Sequence, residues 1–318
     1  MTDVLSHKRF VDEQAAYDWV EAHLWPHGPQ CPRCGVLEDR ITKLQGKSTR
    51  IGTYKCKDCR KPFTVKVGTI FEDSHIPMRL WLQGIALMCA SKKGISSNQL
   101  HRMLGITLKS AWFMSHRLRE AMRSGSLKPP MGGKGGIVEV DETIYGRAAT
   151  HPKGRGPFKP YFSNSAHKRV ILSLVERGGE VRSYHVEGST VGEVIPIVQE
   201  NVSHETQVMT DKARLYRDQL RDFASHDRVD HSDKEYVRYE EGRPAIHTNT
   251  VEGYFAVFKR GMRGTYQHCK EKHLHRYLAE FDFRYKNRIA LEIDDNQRAA
   301  KALLGVKGKR LTYRTAGG

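Results

Sequence analysis

Three carboxylates stand where a chain can turn acidic side chains toward a shared cation. In VEVDETIYG, Asp141 comes where an alternating apolar strand gives way to a polar turn, and in TQVMTDKARLY, Asp211 closes a second apolar strand ahead of a helix-forming stretch. Strand ends of this kind project side chains into clefts. In HTNTVEGYFAVFKRG, Glu252 and Lys259 are seven residues apart, two helical turns along one face, with Asn249 one turn before the glutamate. Such a set can hold two Mg2+ ions about 4 Å apart, which activate a water or a 3′-hydroxyl and stabilise the leaving oxygen of an in-line phosphoryl displacement. Lys259 then reaches a phosphate beside the cut as a point charge on a long stem. Each piece has a plainer alternative: Asp211 in TDKA suits a helix N-cap, and Glu252 with Lys259 suits a solvated helical face. Glu142 points to the opposite side of a continuing strand, toward a neighbouring group rather than the cations.

A second chemical constellation lies near the N-terminus. Cys31-x-x-Cys34 and Cys56-x-x-Cys59 have the spacing of a structural zinc ribbon, in which two knuckles close a tetrahedral sulfur site around one Zn2+. Gly35 suits the left-handed turn after the first pair. Arg33, Lys55, Lys57, Arg60 and Lys61 surround the ligands and interleave with Tyr54 and Phe63, a pattern for gripping DNA, whereas a purely structural clip needs the metal alone. Cys89 and Cys269 read as small apolar side chains in packed helices.

These groups need elements to position them. Residues 9–25 carry Phe10, Ala15, Ala16, Trp19, Val20 and Leu24 at helical spacing, a brace for the cysteine module, and Cys31 to Phe71 reads as short strands and turns. After Ser74 the pattern becomes helical. In SSNQLHRMLGITLKSAWFMSHRLR, a short glycine-containing break lets two helices cross as a helix-turn-helix and present Thr107, Lys109, Ser110 and His116 to a DNA groove; an ordinary helical linker is the alternative. SGSLKPPMGGKGG breaks both helix and strand, so a boundary falls there. Beyond it, IVEVDETIYG, RVILSLVER and VRSYHVEG are strands, GEVIPIVQENV a helix, ETQVMTD a fourth strand and ARLYRDQLRDFA a second helix, giving a mixed α/β sheet followed by a helical tail from His247. The expected domains are 1–73 (helix and ribbon), 74–130 (helical) and 131–318 (catalytic).

At 318 residues the chain can hold several cores. Lysine and arginine exceed aspartate and glutamate by 53 to 36, a formal charge of +17, which favours a polyanionic partner through counterion release. No stretch approaches the roughly 20 apolar residues of a bilayer span, and the N-terminus lacks a signal-type apolar run, so a soluble, intracellular protein is expected.

CPRCG with YKCKDCRKPFTVKVGTIF, VEVDETIYG, VMTDKARLY and HTNTVEGYFAVFKRGMRGTYQHCKEKHLHRYLAEFDFRYKNR together resemble DDE-type bacterial insertion-sequence transposases of the group numbered fifteen ninety-five, related to the eukaryotic Merlin elements, over nearly the whole chain. The resemblance implies an RNase H-like catalytic domain that uses Mg2+ or Mn2+ to cleave double-stranded DNA at inverted terminal repeats and to transfer the strands into a target. Members vary at the third acidic position, where asparagine or histidine also occurs. His247 and Asn249 are therefore candidate substitutes or helpers, with Glu252 preferred because a carboxylate binds a hard cation better. The basic loop GRAATHPKGRGPFKPYFSNSAHKR, with Lys168 and Arg169, reads either as a disordered hairpin or as a DNA-gripping arm on which Tyr161 and Phe162 stack on exposed bases, and Arg260 joins the candidate DNA-contacting set. Joining two ends implies a homodimer or larger synaptic complex, in the cytoplasm and associated with the nucleoid. Two alternatives remain: a non-catalytic zinc-ribbon DNA-binding regulator derived from a transposase, and an RNase H-like nuclease without strand transfer.

Overall fold

A computed structural model describes residues 6–125, 128–146 and 168–312. The chain divides into two units, Met1–Ser124 with Arg288–Gly318, and Gly125–Asn287.

In the first unit, α1 (Glu13–Leu24) begins where the Asp12 carboxylate accepts the Ala15 N–H at 2.7 Å, and it buries Ala16, Val20 and Leu24. A small antiparallel sheet follows, β1 (Ile41–Lys43), β2 (Tyr54–Cys56) and β3 (Pro62–Phe63), in that order. Its core is a small aromatic and cysteine cluster. Tyr54 and Phe63 stack at 5.9 Å with Trp25 edge-on to both, and the Tyr54 hydroxyl donates to the buried Glu21 carboxylate of α1 at 2.6 Å. The helix does brace the ribbon.

Next come α2 (Met78–Ala90), α3 (Ser97–Leu104) and α4 (Leu108–Met122). Ser96 and Gln99 form a reciprocal cap on α3, Gly105 ends it at φ 63°, and Thr107 caps α4 through the Ser110 N–H at 3.1 Å. A Cβ on Gly84 of α2 would lie 2.7 Å from the Met114 sulfur, so glycine is what lets α2 and α4 approach this closely. The tail behaves differently from the domain expected at 131–318. Its helix α8 (Asp295–Leu304) belongs to the first unit, where it packs on α2 and Arg298 donates to the Cys89 carbonyl at 2.7 Å.

The second unit is a five-stranded sheet with helices on both faces. β4 (Ile137–Tyr145), β5 (Arg169–Glu176) and β6 (Val181–Val186) pair antiparallel, α5 (Val191–Asn201) crosses over, and β7 (Gln207–Asp211) and β8 (Ser225–Val229) add in parallel, giving the order β6-β5-β4-β7-β8. Alternation along the strands makes two cores. Val138, Val140, Leu172, Leu174 and Val208 face α5, while Ile171, Val175 and Val181 face α6 (Asn249–Gly261) and α7 (Leu274–Lys286).

Two elements differ from the sequence reading. ARLYRDQLRDFA forms only a single 3-10 turn, Arg214–Tyr216, because Asp218 takes a left-handed φ of 63° that ends any helix. The strand Ser225–Val229 goes unmarked in the sequence because an edge strand needs backbone pairing more than apolar side chains, and only Val229 of SHDRV is buried. Among the described residues no helix is long and apolar enough to cross a membrane.

Candidate active site and metal centres

Parallel pairing of β4 with β7 sets Ile137 beside Gln207, Val138 beside Val208 and Glu139 beside Met209. The pairing ends there; two residues further along their strands, on the faces of Glu139 and Met209 by alternation, come Asp141 and Asp211, and the Asp211 charge acts on Asp141. That is the face under α6, because Asp141 shares it with Glu139, whose cross-strand partner Val175 packs in the α6 core. Asp141 accepts the Glu142 N–H at 2.7 Å and Asp211 the Ala213 N–H at 2.9 Å. Burial pushes the Asp141 carboxyl up to about 8, helped by the charges of Asp211, Glu142 and Glu252. Crowded acids of this kind call for a cation.

Glu252 sits in the first turn of α6, where the positive helix end favours a carboxylate. Its side chain is 46% exposed, and its Oε1 lies 3.2 Å from His231 Nε2 and 3.4 Å from Thr248 Oγ1. Lys259 is half-buried two turns along the same helix, Asn249 is exposed at its start, and Arg260 is exposed and donates to the Ala256 carbonyl at 3.0 Å. Glu142 takes the other face as expected: the Tyr216 hydroxyl donates to it from the α5-side core, and burial pushes its carboxyl up to about 7.

Behind these groups lies Glu139, with no exposed surface. It accepts hydrogen bonds from the Thr250 N–H at 2.7 Å, the Val251 N–H at 3.0 Å and the Thr250 hydroxyl at 2.7 Å, and it pairs with Arg177 Nε at 2.6 Å. His247 belongs here too, its Nδ1 3.2 Å from Glu139, rather than among the three acids.

In the ribbon, Cys31 and Cys59 sulfurs are 3.7 Å apart and Cys34 and Cys56 sulfurs 3.6 Å, all four ligand atoms lying within 4.8 Å of one another. A tetrahedron of Zn–S bonds near 2.3 Å has sulfur edges of about 3.8 Å, so the set fits one zinc ion. Burial raises the Cys31 thiol, but the N–H groups of Cys34 and Arg33 and the neighbouring sulfurs bring it down to about 7. For Cys34, the Val36 N–H favours the thiolate, yet Cys31, Cys56 and Cys59 push it up to about 12. Without a cation the four cannot all ionise. Among the described residues no three acidic or histidine side chains gather their ligand atoms this tightly.

Residues 134–286 match the ISXO2-like transposase domain, and residues 11–62 match the transposase zinc-ribbon domain. The chain belongs to this insertion-sequence transposase family. It is also similar to an uncharacterized protein in transposable element ISH50 of Halobacterium salinarum, 25% identical over 292 residues that cover 87% of this chain and 92% of the relative. A chain in a cryoEM structure of the simian T-cell lymphotropic virus intasome, in complex with PP2A regulatory subunit B56 gamma, aligns with 57% of this chain. That alignment spans 63% of the intasome chain at a TM-score of 0.28 and 13% identity, too remote to carry an argument about the fold.

In this transposase the basic side chains of the ribbon, Arg33, Lys55, Lys57, Arg60 and Lys61, are exposed, and Lys57 also donates to the Asp39 carbonyl at 2.9 Å. Tyr54 and Phe63 are not available to DNA, because a ribbon this small spends both rings on its own core. Thr107 and Lys109 are exposed at the start of α4 and Ser110 is half-exposed, but His116 has no exposed surface: its face of α4 is the one packed inward. Lys168 is half-exposed, whereas Arg169 is tied to the Cys269 carbonyl at 2.6 Å. Cys269 precedes α7 in a non-helical segment, while Cys89 is buried in α2. Tyr161, Phe162 and most of the basic loop fall outside the described residues.

Sequence reasoning missed Glu139, Arg177 and His231. For Glu139 a signal existed: a carboxylate between two valines, on the same strand face as Asp141. His231 lies in a polar turn after the unrecognised β8, so nothing in its neighbourhood marked it.

Proposed function

We propose that this transposase binds the inverted terminal repeats of its element and catalyses strand cleavage and strand transfer through Asp141, Asp211 and Glu252. The observation that carries this reading is the placement of Asp141 and Asp211 two residues beyond the paired stretch of adjacent parallel strands, with the Asp211 and Glu252 charges acting on Asp141. Three antiparallel strands followed by two parallel ones, with helices on both faces, support an RNase H-like description of the second unit. When bound, a pair of Mg2+ or Mn2+ ions supplies an activated oxygen nucleophile and charge for the leaving oxygen. Asp141 and Asp211 offer carboxylates from the sheet, and Glu252 offers one from the helix, with His231 and Thr248 limiting its rotation. Lys259 and Arg260 meet the DNA backbone beside that site. The cysteines hold one structural Zn2+, and the exposed basic residues of the ribbon, with Thr107, Lys109 and Ser110 at the start of α4, dock the repeat in the manner of a helix-turn-helix. Two ends must be held for joining, which calls for a homodimer or larger assembly on the nucleoid.

A supercoiled plasmid carrying the element's ends, incubated with purified protein, tests the reading. Nicked and joined products are expected only with Mg2+ or Mn2+, and none with Asp141→Asn or Asp211→Asn. Normal cleavage by both variants sinks it. End binding without cleavage, unaffected by either substitution, selects a non-catalytic DNA-binding regulator instead.

A further inference from the structure

The start of α6 is capped from far away in sequence. Thr248 occupies the N-cap position, yet its hydroxyl makes no capping bond and turns toward Glu252. The free N–H groups of the first turn, at Thr250 and Val251, are satisfied by Glu139 of β4. Glu139 is wholly buried and held on its other side by Arg177, which also donates to the carbonyls of Ala245 at 2.7 Å and His247 at 3.0 Å. One carboxylate and one guanidinium thus fasten the segment 245–251 to the sheet. The residue that follows this segment is Glu252, and the strand position two residues beyond Glu139 on the same face is Asp141.

We infer that Glu139 is a positioning residue of the transposition reaction: it fixes the first turn of α6 against β4 so that Glu252 and Asp141 face a shared cation site. The inference rests on the function proposed above. A buried carboxylate needs full compensation, and this one is surrounded by the first-turn donors of α6, by His247 just before the helix, and by the arginine that anchors that segment. Replacing it with a group that caps less well leaves the helix in place through its apolar face, Val251, Tyr254, Phe255 and Phe258, but frees its first turn. The reach of Glu252 toward the cations then loosens, while DNA docking by the ribbon and α4 is untouched.

The test compares wild type, Glu139→Gln and Glu139→Asp, each shown to be folded by circular dichroism at the assay temperature. Terminal-repeat binding without divalent ions is measured alongside cleavage across a Mg2+ titration. Manganese binding without DNA is followed by paramagnetic relaxation of water. Glu139→Gln is expected to bind DNA within about twofold of wild type, and to need at least tenfold more Mg2+ for half-maximal cleavage. Its Mn2+ affinity should fall in parallel, with Glu139→Asp between the two. A merely structural role lowers the melting temperature without moving the metal dependence, and a folded Glu139→Gln with wild-type Mg2+ and Mn2+ curves overturns the inference. Should Glu139→Gln fail to fold, Thr250→Val removes only the side-chain hydrogen bond, and it should raise the Mg2+ requirement about threefold; an unchanged requirement again overturns it. Wild-type protein that neither cleaves nor binds Mn2+ overturns the proposed function and this inference with it, whereas an active wild type with indifferent variants removes the positioning role alone.

Discussion

In the ribbon, two short loops carry four thiols to one point, and the aromatic rings around them form a small core. In the sheet unit, the acids come from three separate stretches of chain and meet through strand register and the seat of one helix, above cores that need no metal. With so small a core, the first arrangement is expected to depend on a zinc ion to stay folded. The second holds its fold against its own charge, since Asp141 is crowded by Asp211, Glu142 and Glu252. Removing a ligand should therefore have opposite consequences for stability in the two places.

The largest expected effect lies in the ribbon. Binding energies of about 10–16 kcal/mol are typical for structural zinc at neutral pH, so a strong chelator or Cys56→Ser should unfold the ribbon. Amide exchange should become unprotected across Tyr54–Cys56 and at Phe63 while β4, β5 and β7 keep their protection. Retained protection in the ribbon after zinc removal breaks the comparison from that side.

On the other side, Asp141→Asn is expected to lower cleavage by roughly a thousandfold or more, on the scale of losing an electrostatic element of the transition state. The same substitution should raise the melting temperature of the metal-free protein, because it removes one of several like charges at a buried position. Loss of activity together with loss of stability would show the carboxylate to be part of the fold's support, as the cysteines are.

A third test concerns an acid of the sheet unit that takes no part in the proposed site. Asp282 accepts the Ser183 N–H at 2.9 Å and hydroxyl at 2.7 Å together with the Tyr254 hydroxyl at 2.5 Å, and burial pushes its carboxyl up to about 6 despite those bonds. A folded-state value above the unfolded one gives stability that is full below about pH 4 and lost as pH rises through 6, worth about 3 kcal/mol. Asp282→Asn should flatten the pH dependence of urea unfolding over that range. An unchanged slope would mean that the polar network satisfies the ionised form completely.

How much of this was legible beforehand follows from the same contrast. Cys31, Cys34, Cys56 and Cys59 write their site in local spacing, and the strand ends at Asp141 and Asp211 announce themselves by where apolar alternation stops. What makes the aspartates neighbours is the parallel pairing of β4 with β7, which no local pattern encodes. The fastening by Glu139 and Arg177 was hidden for the same reason, since its partners are distant in sequence. His116 and Tyr54 went astray because polar or aromatic character on an amphipathic element does not tell which face is packed. The helical tail was misplaced because α8 reads like any amphipathic helix, and only its packing on α2 fixes where it belongs.

The smallest effects should come from the exposed basic residues of the ribbon, and they test whether that module does more than hold itself together. Arg33, Lys55 and Lys61 sit at the surface, where a phosphate contact adds counterion release but no sequence information. If each meets one phosphate, its replacement by alanine should weaken terminal-repeat and unrelated DNA alike. The slope of log affinity against log salt concentration should fall by about 0.9 for each residue removed. Zinc content and melting temperature should stay as in wild type, because none of the three is a ligand or part of the aromatic core. A triple variant with an unchanged salt slope would reduce the ribbon to a structural clip and leave the start of α4, with Thr107 and Lys109, as the candidate for the docking surface.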